Sequence, residues 1–126
     1  MNTPKELKYS RSHEWVRMTG ETTAEIGLTD FAQDQLGDLV YVELPEVGDT
    51  VTCGVSFANV ESVKAVSDVF SPVTAVVTEI NEELLDNSAL INEDPYGAWL
   101  IKVSEISAVE DLLDADGYDA ACQEEA

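Results

Sequence analysis

The sequence has very little positive charge. Six lysines and arginines face 26 aspartates and glutamates in 126 residues, which gives a formal net charge of −20 at pH 7. A surface this negative repels phosphate backbones and anionic lipid headgroups. We therefore expect no nucleic acid partner and no membrane partner. The acidity itself fits a salt-adapted host, the attraction of basic partners, or solubility alone.

Cysteine, histidine and long apolar runs are also scarce. Cys53 and Cys122 lie far apart and the chain has one histidine, so the usual ligands of a zinc site are missing. We interpret both cysteines as buried or incidental thiols. No run approaches the roughly 20 apolar residues of a membrane span, and the first nine residues lack the apolar segment of a signal peptide. These absences predict a cytoplasmic protein without a metal.

Short strand-like runs separated by turn residues dominate the chain, which predicts a mainly β fold. A length of 126 residues with 44% hydrophobic content suits one domain over residues 1–126. We expect its core over about residues 7–103 and a C-terminal helix with an acidic tail over 104–126. The strands are predicted over residues 13–18, 22–28, 39–44, 56–62, 66–71, 75–80 and 99–103.

Two helices are predicted among the strands. The first covers residues 30–36, with Thr29 or Asp30 as its cap and a glycine at its end. The second covers residues 107–117 and starts with a capping box, in which Glu110 follows Ser107 by three residues. We expect the second helix to pack on the outside of the sheets and the last residues to fray.

A weak internal repeat appears at an offset of 33 residues, where residues 47–57 align with residues 80–90. Apolar positions coincide, and the glycines at 48 and 54 align with asparagines. Because these two residue types adopt positive φ most readily, the offset predicts two similar β-turn units. A chance match in a β-rich sequence is the alternative.

Lys64 is the only basic residue between Arg17 and Lys102, and it falls between two predicted strands. A side chain on a protruding turn can enter several different clefts. Lysine also has a long flexible stem and an amine that forms a stable amide with a carboxylic cofactor. Position alone nevertheless favours an ordinary solvated lysine.

Several sequence blocks around this lysine carry more information than its position. Residues 60–68 (VESVKAVSD), followed by SPV at 71–73, resemble the lipoylation hairpin of the glycine cleavage system H-protein family. The resemblance spans about residues 7–103, with a looser match over the C-terminal helix. It is specific because further blocks recur in order: SHEWV at 12–16, IGLTDFAQ at 26–33, LGD at 36–38, VELP at 42–45, NEDPYG at 92–97 and WLIK at 99–102.

The resemblance implies a lipoyl-type barrel sandwich hybrid of two antiparallel sheets, with lipoic acid in amide linkage to Lys64. Such a protein is a carrier and not an enzyme. It takes the aminomethyl group of glycine from a pyridoxal-phosphate-dependent glycine decarboxylase and delivers it to a tetrahydrofolate-dependent aminomethyltransferase. Electrons pass to the FAD enzyme dihydrolipoamide dehydrogenase. A lipoylating enzyme is the fourth implied partner.

Three acidic residues are candidates for supporting roles. Glu14 in the SHEWV block and Asp68 on the returning strand are predicted to hold the amine of the carried group, since burial against a carboxylate holds a cation and excludes water. Glu61 is predicted to be a residue that the lipoylating enzyme recognises. Three further residues are interpreted as structural or packing residues: His13, Trp15 and Trp99.

Three alternatives remain open at this point. A different lipoyl carrier or a lipoyl relay would share the fold and Lys64. A biotin carrier shares the architecture, but that family usually has methionine on both sides of its lysine, where this chain has Val63 and Ala65. An unmodified acidic module that binds a basic partner through the C-terminal helix predicts no modification of Lys64. We expect a monomer, because no apolar exposed stripe is evident.

Overall fold

A computed structural model describes residues 3–125 of the chain, and these form nine strands and four helices. The strands are β1 Lys8–Tyr9, β2 Glu14–Met18, β3 Ala24–Leu28, β4 Leu39–Glu43, β5 Thr50–Val51, β6 Ser56–Ser62, β7 Val66–Phe70, β8 Val73–Ile80 and β9 Ile101–Val109. The helices are α1 Asp30–Leu36, α2 Glu83–Asp86, α3 Leu90–Glu93 and α4 Ala115–Glu125.

The strands form two antiparallel sheets. Six strands follow the order β1-β2-β3-β9-β8-β5, and three follow the order β4-β6-β7. Buried side chains from both sheets share one hydrophobic cluster, in which Ile26 and Val103 of the larger sheet join Val42 and Val60 of the smaller one. The predicted fold class is confirmed: a mainly β sandwich hybrid of two antiparallel sheets with a short internal helix and a C-terminal helix.

Strand β6 explains how the sequence pattern sets the hairpin around residue 64. Its even-numbered residues Ala58, Val60 and Ser62 are buried, and its odd-numbered residues lie closer to solvent, as the two-residue period of a strand requires. Antiparallel pairing with β7 then brings Glu61 opposite Val66. Residues 63–65 are left to make the turn.

Helix α1 forms where the capping pattern predicts it. The Thr29 side chain accepts a hydrogen bond from the Ala32 amide at 3.1 Å, which satisfies one of the free N–H groups at the helix start. At the other end the Gly37 amide donates to the Gln33 carbonyl, and Gly37 has φ +81°. This left-handed backbone favours glycine and turns the chain into β4.

The helix predicted over residues 107–117 is wrong. Strand β9 continues to Val109, which is half-exposed and pairs with Val73, and the Glu110 amide donates to the Pro72 carbonyl at 2.9 Å. Pairing with β8 thus overrides the local capping signal, as tertiary context commonly does. The helix starts at Ala115 instead, where Asp114 Oδ1 accepts from the Gly117 amide at 2.8 Å.

The two repeated turn units are also not found. Gly48 and Gly54 have φ values of +97° and +77°, but the aligned asparagines do not share the left-handed conformation. Asn87 has φ −143° and follows helix α2, in a segment where the repeat predicts a β-turn. The apolar matches therefore do not mark two equivalent units, and one of the matched residues, Val47, is 61% exposed.

A second hydrophobic cluster lies where the C-terminal helix packs beside β1. It contains Tyr9, Trp15, Tyr96 and Tyr118, all buried, and the Tyr9 and Tyr118 rings stack with centroids 4.7 Å apart. A C-terminal helix therefore packs on the outside of the larger sheet, but it is α4 and not the predicted helix over residues 107–117. This placement brings α4 close to the segment that leads into β2.

Candidate functional site

Lys64 lies at the tip of the β6–β7 hairpin and its side chain is exposed. Ser62 holds the turn: its amide donates to the Ala65 carbonyl at 2.7 Å, and its hydroxyl oxygen accepts from the Ala65 and Lys64 amides at 3.1 and 3.3 Å. Serine hydroxyls commonly support turns in this way. Local bonds are therefore sufficient to present the lysine.

The tip also leans on the corner between α1 and β4. The Val63 amide donates to the Asp38 carbonyl at 3.0 Å. The Lys64 stem passes over Gly37, where an added Cβ would lie 3.5 Å from Cε and 3.9 Å from Nζ. The Lys64 stem therefore lies close to the end of α1.

Beside this corner is a cavity of about 280 Å³. Its walls come from four parts of the chain: the segment that enters β2, the end of β3, helix α1, and the β6–β7 hairpin. Half of the twelve lining residues are apolar, and the other half, which include Glu14, are polar or charged. The lining residues are Ser12, His13, Glu14, Leu28, Phe31, Ala32, Gln35, Leu36, Val60, Ser67, Asp68 and Val69.

Glu14 provides a buried carboxylate at this cavity and is only 1% exposed. Its Oε1 accepts from the Ser10 and Ser12 hydroxyls at 2.6 and 2.5 Å, and its Oε2 accepts from the Phe70 amide at 3.3 Å. Burial raises the pKa of Glu14 from 4.5 to about 7, while these hydrogen bonds lower it in part. The carboxyl group is thus poised to change charge near neutral pH.

No basic side chain balances the Glu14 carboxylate within the described residues 3–125, since its hydrogen-bond donors are two hydroxyls and one amide. A buried anion gains most from an opposite charge at close range. A ligand that brings an ammonium group into the cavity would therefore stabilise the ionised form. The apolar wall would at the same time keep water from that ligand.

Asp68 lies at the same cavity but in a different environment. Its side chain is exposed, and its strand position faces Asn59 in the β6–β7 register. The structure therefore brings the two predicted carboxylates together, one buried and one at the solvent side. Glu61 lies elsewhere, half-buried on β6 between Tyr41 and Val66, and does not line the cavity.

Sequence reasoning missed part of this wall. Ser10, which donates to Glu14, precedes the SHEWV block, and Phe31 and Leu36 were predicted only as part of the first helix. His13, interpreted as structural, does have structural contacts, but its ring also lines the cavity. Trp15 is fully buried, which confirms its packing interpretation. Trp99 is partly buried, and Lys102 Nζ lies 4.6 Å from its ring centroid.

The remaining features of residues 3–125 do not suggest another kind of centre. Cys53 is partly buried, Cys122 is buried, and neither forms a disulfide bond among the described residues. Within this range no group of three or more histidine, cysteine, aspartate or glutamate side chains is arranged to hold a metal ion. No helix in this part of the chain is both long and apolar enough to cross a membrane.

Comparison with known proteins gives a consistent result. A family model described as glycine cleavage H-protein matches residues 7–125. A glycine cleavage system H protein from Lachnoclostridium phytofermentans is 53% identical over 125 residues, covering 99% of this chain and 98% of that protein. Its counterpart from Vibrio campbellii is 54% identical over 124 residues, covering 96% and 98%.

The fold comparison agrees with the sequence comparison. The crystal structure of a glycine cleavage system H protein from Mycobacterium marinum superposes with a TM-score of 0.90 at 40% sequence identity. The match covers 98% of this chain and 99% of that one. Both the small sandwich and its C-terminal extension therefore have a counterpart of known structure.

Proposed function

Because this chain belongs to the glycine cleavage H-protein family, we propose that Lys64 is the residue that carries its lipoyl group. The chain is a lipoyl carrier of the glycine cleavage system, a non-catalytic component with covalently attached lipoate. The lipoyl dithiolane supplies a reversible thiol–disulfide pair, which can carry a one-carbon group and two electrons.

The exposure of Lys64 at a hairpin tip is the observation that carries this proposal. No ion pair between described residues involves Lys64, whereas Lys102 lies 3.6 Å from Glu25 and 3.5 Å from Glu79. A lysine used as an attachment point needs an amine that a modifying enzyme can reach. The short turn of residues 63–65 leaves that approach open.

The test is to incubate the purified chain with lipoate, ATP and a lipoylating enzyme and to measure intact mass. We expect one lipoyl increment, mapped to the peptide that contains Lys64, and none in Lys64→Arg. Lys102→Arg is the matched control and should be modified like the original chain. An increment on another lysine would refute the assignment, and no increment at all would favour the acidic interaction module.

We also propose that the cavity holds the amine end of the aminomethyl cargo through Glu14 and Asp68. Glu14 offers a buried carboxylate without a basic partner among the described residues. Asp68 adds a second negative charge at the solvent side. Apolar side chains such as Phe31 and Val69 line half of the cavity, where they would keep water away from the carried group. The carboxylates thus keep the amine protonated, and the wall keeps water away.

This second proposal is tested with the lipoylated chain, loaded by the decarboxylase from labelled glycine, in the absence of the aminomethyltransferase. A hydrogen bond to a charged group contributes about 1.5–3 kcal/mol, so Glu14→Gln should speed loss of the label by about tenfold or more. Asp68→Asn should have a smaller effect. Asp86→Asn, exposed on α2, is the control. Unchanged lifetimes would remove the tested residue from the mechanism.

Glu61 is proposed as a residue that the lipoylating enzyme recognises. It lies on the outward side of β6, in register with Val66, close to the tip but outside the cavity. Glu61→Lys should lower the rate of lipoylation without unfolding the domain. Glu43→Lys makes the same charge change at an exposed position of the same sheet and should leave the rate nearly unchanged. Equal rates for both variants would refute a specific role.

The partner enzymes follow from membership of the system, and we propose the glycine decarboxylase, the aminomethyltransferase, dihydrolipoamide dehydrogenase and a lipoylating enzyme. We further propose a monomer in the cytoplasm. Cys53 and Cys122 form no disulfide bond among the described residues, which suits a reducing compartment, and a charge of −20 disfavours self-association. Light scattering during size-exclusion chromatography tests the monomer, and a dimer mass would refute it.

A further inference from the structure

One hydroxyl of the C-terminal helix reaches the wall of the cavity. Tyr118 on α4 is fully buried, and its Oη lies 2.7 Å from His13 Nδ1 and 2.7 Å from Thr29 Oγ1. His13 lines the cavity, and Tyr118 does not. We propose that Tyr118 is a positioning residue, which holds His13 in the cavity wall and so protects the aminomethyl cargo from water. This inference rests on the function proposed for the cavity.

His13 has an unfavourable backbone conformation that surrounding contacts must maintain. Its φ of +77° lies in the left-handed region, which is unfavourable for a residue with a side chain and persists where surrounding contacts enforce it. The His13 amide donates to the Ser10 carbonyl at 3.2 Å, and its carbonyl accepts from the Thr29 amide at 3.1 Å. These bonds set the backbone. The ring is then placed between Phe31, at a centroid distance of 4.8 Å, and Tyr118.

The same hydroxyl joins two walls of the cavity. Thr29 Oγ1 already accepts from the Ala32 amide, so its own proton is available to Tyr118. Tyr118 can then donate its proton to His13 Nδ1. Burial keeps the pKa of Tyr118 well above its usual range, so the hydroxyl remains neutral and able to donate. The link therefore connects the segment before β2 with the start of α1.

The attachment site does not depend on this link. Lys64 lies on the β6–β7 hairpin, where the turn bonds run to Ser62 and Asp38. Loss of the Tyr118 hydroxyl should therefore separate two properties of the protein. Lipoylation at the tip should continue, while the lifetime of the carried group should shorten.

The chain offers a matched control for a buried tyrosine hydroxyl. Tyr9 is also fully buried, stacks on Tyr118, and donates its hydroxyl proton to the Pro4 carbonyl. It does not line the cavity. Tyr9→Phe and Tyr118→Phe thus remove the same group from the same aromatic cluster, but only Tyr118→Phe removes a contact to His13.

The experiment compares these variants in the full-length chain. In lipoylated, loaded protein, Tyr118→Phe should speed loss of the label about three- to tenfold, as expected for one lost hydrogen bond. Tyr9→Phe should leave this rate unchanged, and both variants should lipoylate like the original chain. In unlipoylated protein, the ¹⁵N resonances of the His13 ring should shift in Tyr118→Phe and not in Tyr9→Phe. Equal effects of the two variants on lifetime or on the His13 resonances would overturn the proposal.

A double variant shows whether Tyr118 acts through His13. In a His13→Ala background, Tyr118→Phe should cause no further loss of lifetime, and a full additional effect would overturn the proposal. Glu14→Gln distinguishes a failure of the proposed cavity function from a failure of the role proposed for Tyr118. If Glu14→Gln speeds loss and Tyr118→Phe does not, only the role of Tyr118 is wrong. If Glu14→Gln has no effect, the cavity function is wrong and this inference falls with it.

Discussion

The hairpin tip and the cavity share strands β6 and β7, yet they are held in opposite ways. At the tip, Val63 and Lys64 are exposed, and the turn is closed by bonds within a few residues. In the cavity, Glu14 is buried and receives hydrogen bonds from Ser10, Ser12 and the distant Phe70. The proposed attachment point is held mainly by local turn bonds, with one bond from Val63 to Asp38, whereas the buried carboxylate depends on a contact with a distant segment.

The largest difference between the two regions should come from overpacking behind the cavity wall. A Cβ added at Gly27 would lie 2.6 Å from the ring of Trp15, which follows Glu14 on β2. Gly27→Ala should lower the free energy of unfolding by about 2–3 kcal/mol, measured by urea denaturation. Lipoylation of the folded fraction should persist. A loss below about 0.5 kcal/mol would mean that this wall is no more tightly packed than the tip.

The buried carboxylate should make the cavity region sensitive to pH. Because the pKa of Glu14 rises from 4.5 to about 7 on folding, the folded state binds the proton more tightly, and stability falls as pH rises through this window. Glu14→Gln cannot ionise, so it should be more stable than the original chain by about 1–2 kcal/mol at pH 8, after allowance for the weakened bond from Phe70.

The advantage of Glu14→Gln should shrink with falling pH and reverse near pH 4, where the original carboxyl group is largely protonated in both states and only the weakened bond from Phe70 distinguishes the variant. Thermal unfolding of both proteins between pH 4 and pH 8 measures this difference in stability. Asp68→Asn at the exposed side of the same cavity is the control and should give no comparable gain at pH 8. An advantage for Glu14→Gln that does not depend on pH would contradict the role of ionisation.

The turn at the tip should depend on one hydroxyl. Ser62→Ala removes the acceptor of the Ala65 and Lys64 amides and should lower stability by about 1 kcal/mol. Lipoylation should still go to completion, because Lys64 stays exposed. Ser67→Ala on the same hairpin, whose hydroxyl has only a 3.4 Å bond to the Asp68 carbonyl, is the control. If Ser62→Ala blocked lipoylation, the tip would need more than a local turn.

The smallest effect is expected at the exposed flank of the lysine. Val63 is 70% exposed, so Val63→Ala should change the free energy of unfolding by less than about 0.5 kcal/mol. Val60→Ala removes the same two methyl groups from a fully buried position on the same hairpin and should cost about 2 kcal/mol. Chemical denaturation compares the two. Similar losses of stability in the two variants would mean that the tip and the cavity wall are packed equally tightly.

Elements that depend on near neighbours were predicted well. Helix α1 lies where the Thr29 cap and the following glycine predict it, and the β6–β7 hairpin lies where its alternation and turn predict it. The C-terminal region failed because a competing partner was not visible in the local pattern. Residues 107–109 carry a helix-start signal but pair with β8, which offers them a ladder of backbone hydrogen bonds.

The residues of the candidate site were likewise predicted only in part. Lys64, Glu14, Asp68 and Glu61 were selected from residue type, position and family resemblance, and the structure places Glu14 and Asp68 at one cavity. Ser10 and Tyr118 were not selected. The Tyr118 contacts join segments that are distant in the chain, and Tyr118 belongs to an element whose limits were predicted wrongly. Ser10 lies only four residues before Glu14, but no motif in the sequence indicated a hydrogen bond between the two side chains.

The sequence by itself determined the charge of the protein, its mainly β class, the first helix and the exposed lysine at a turn, because each depends on composition or on interactions between near neighbours. Only the tertiary structure decided the depth of Glu14, the shape of the cavity and the reach of Tyr118 to His13. Burial and desolvation depend on what packs from elsewhere in the chain, and these set the pKa of Glu14.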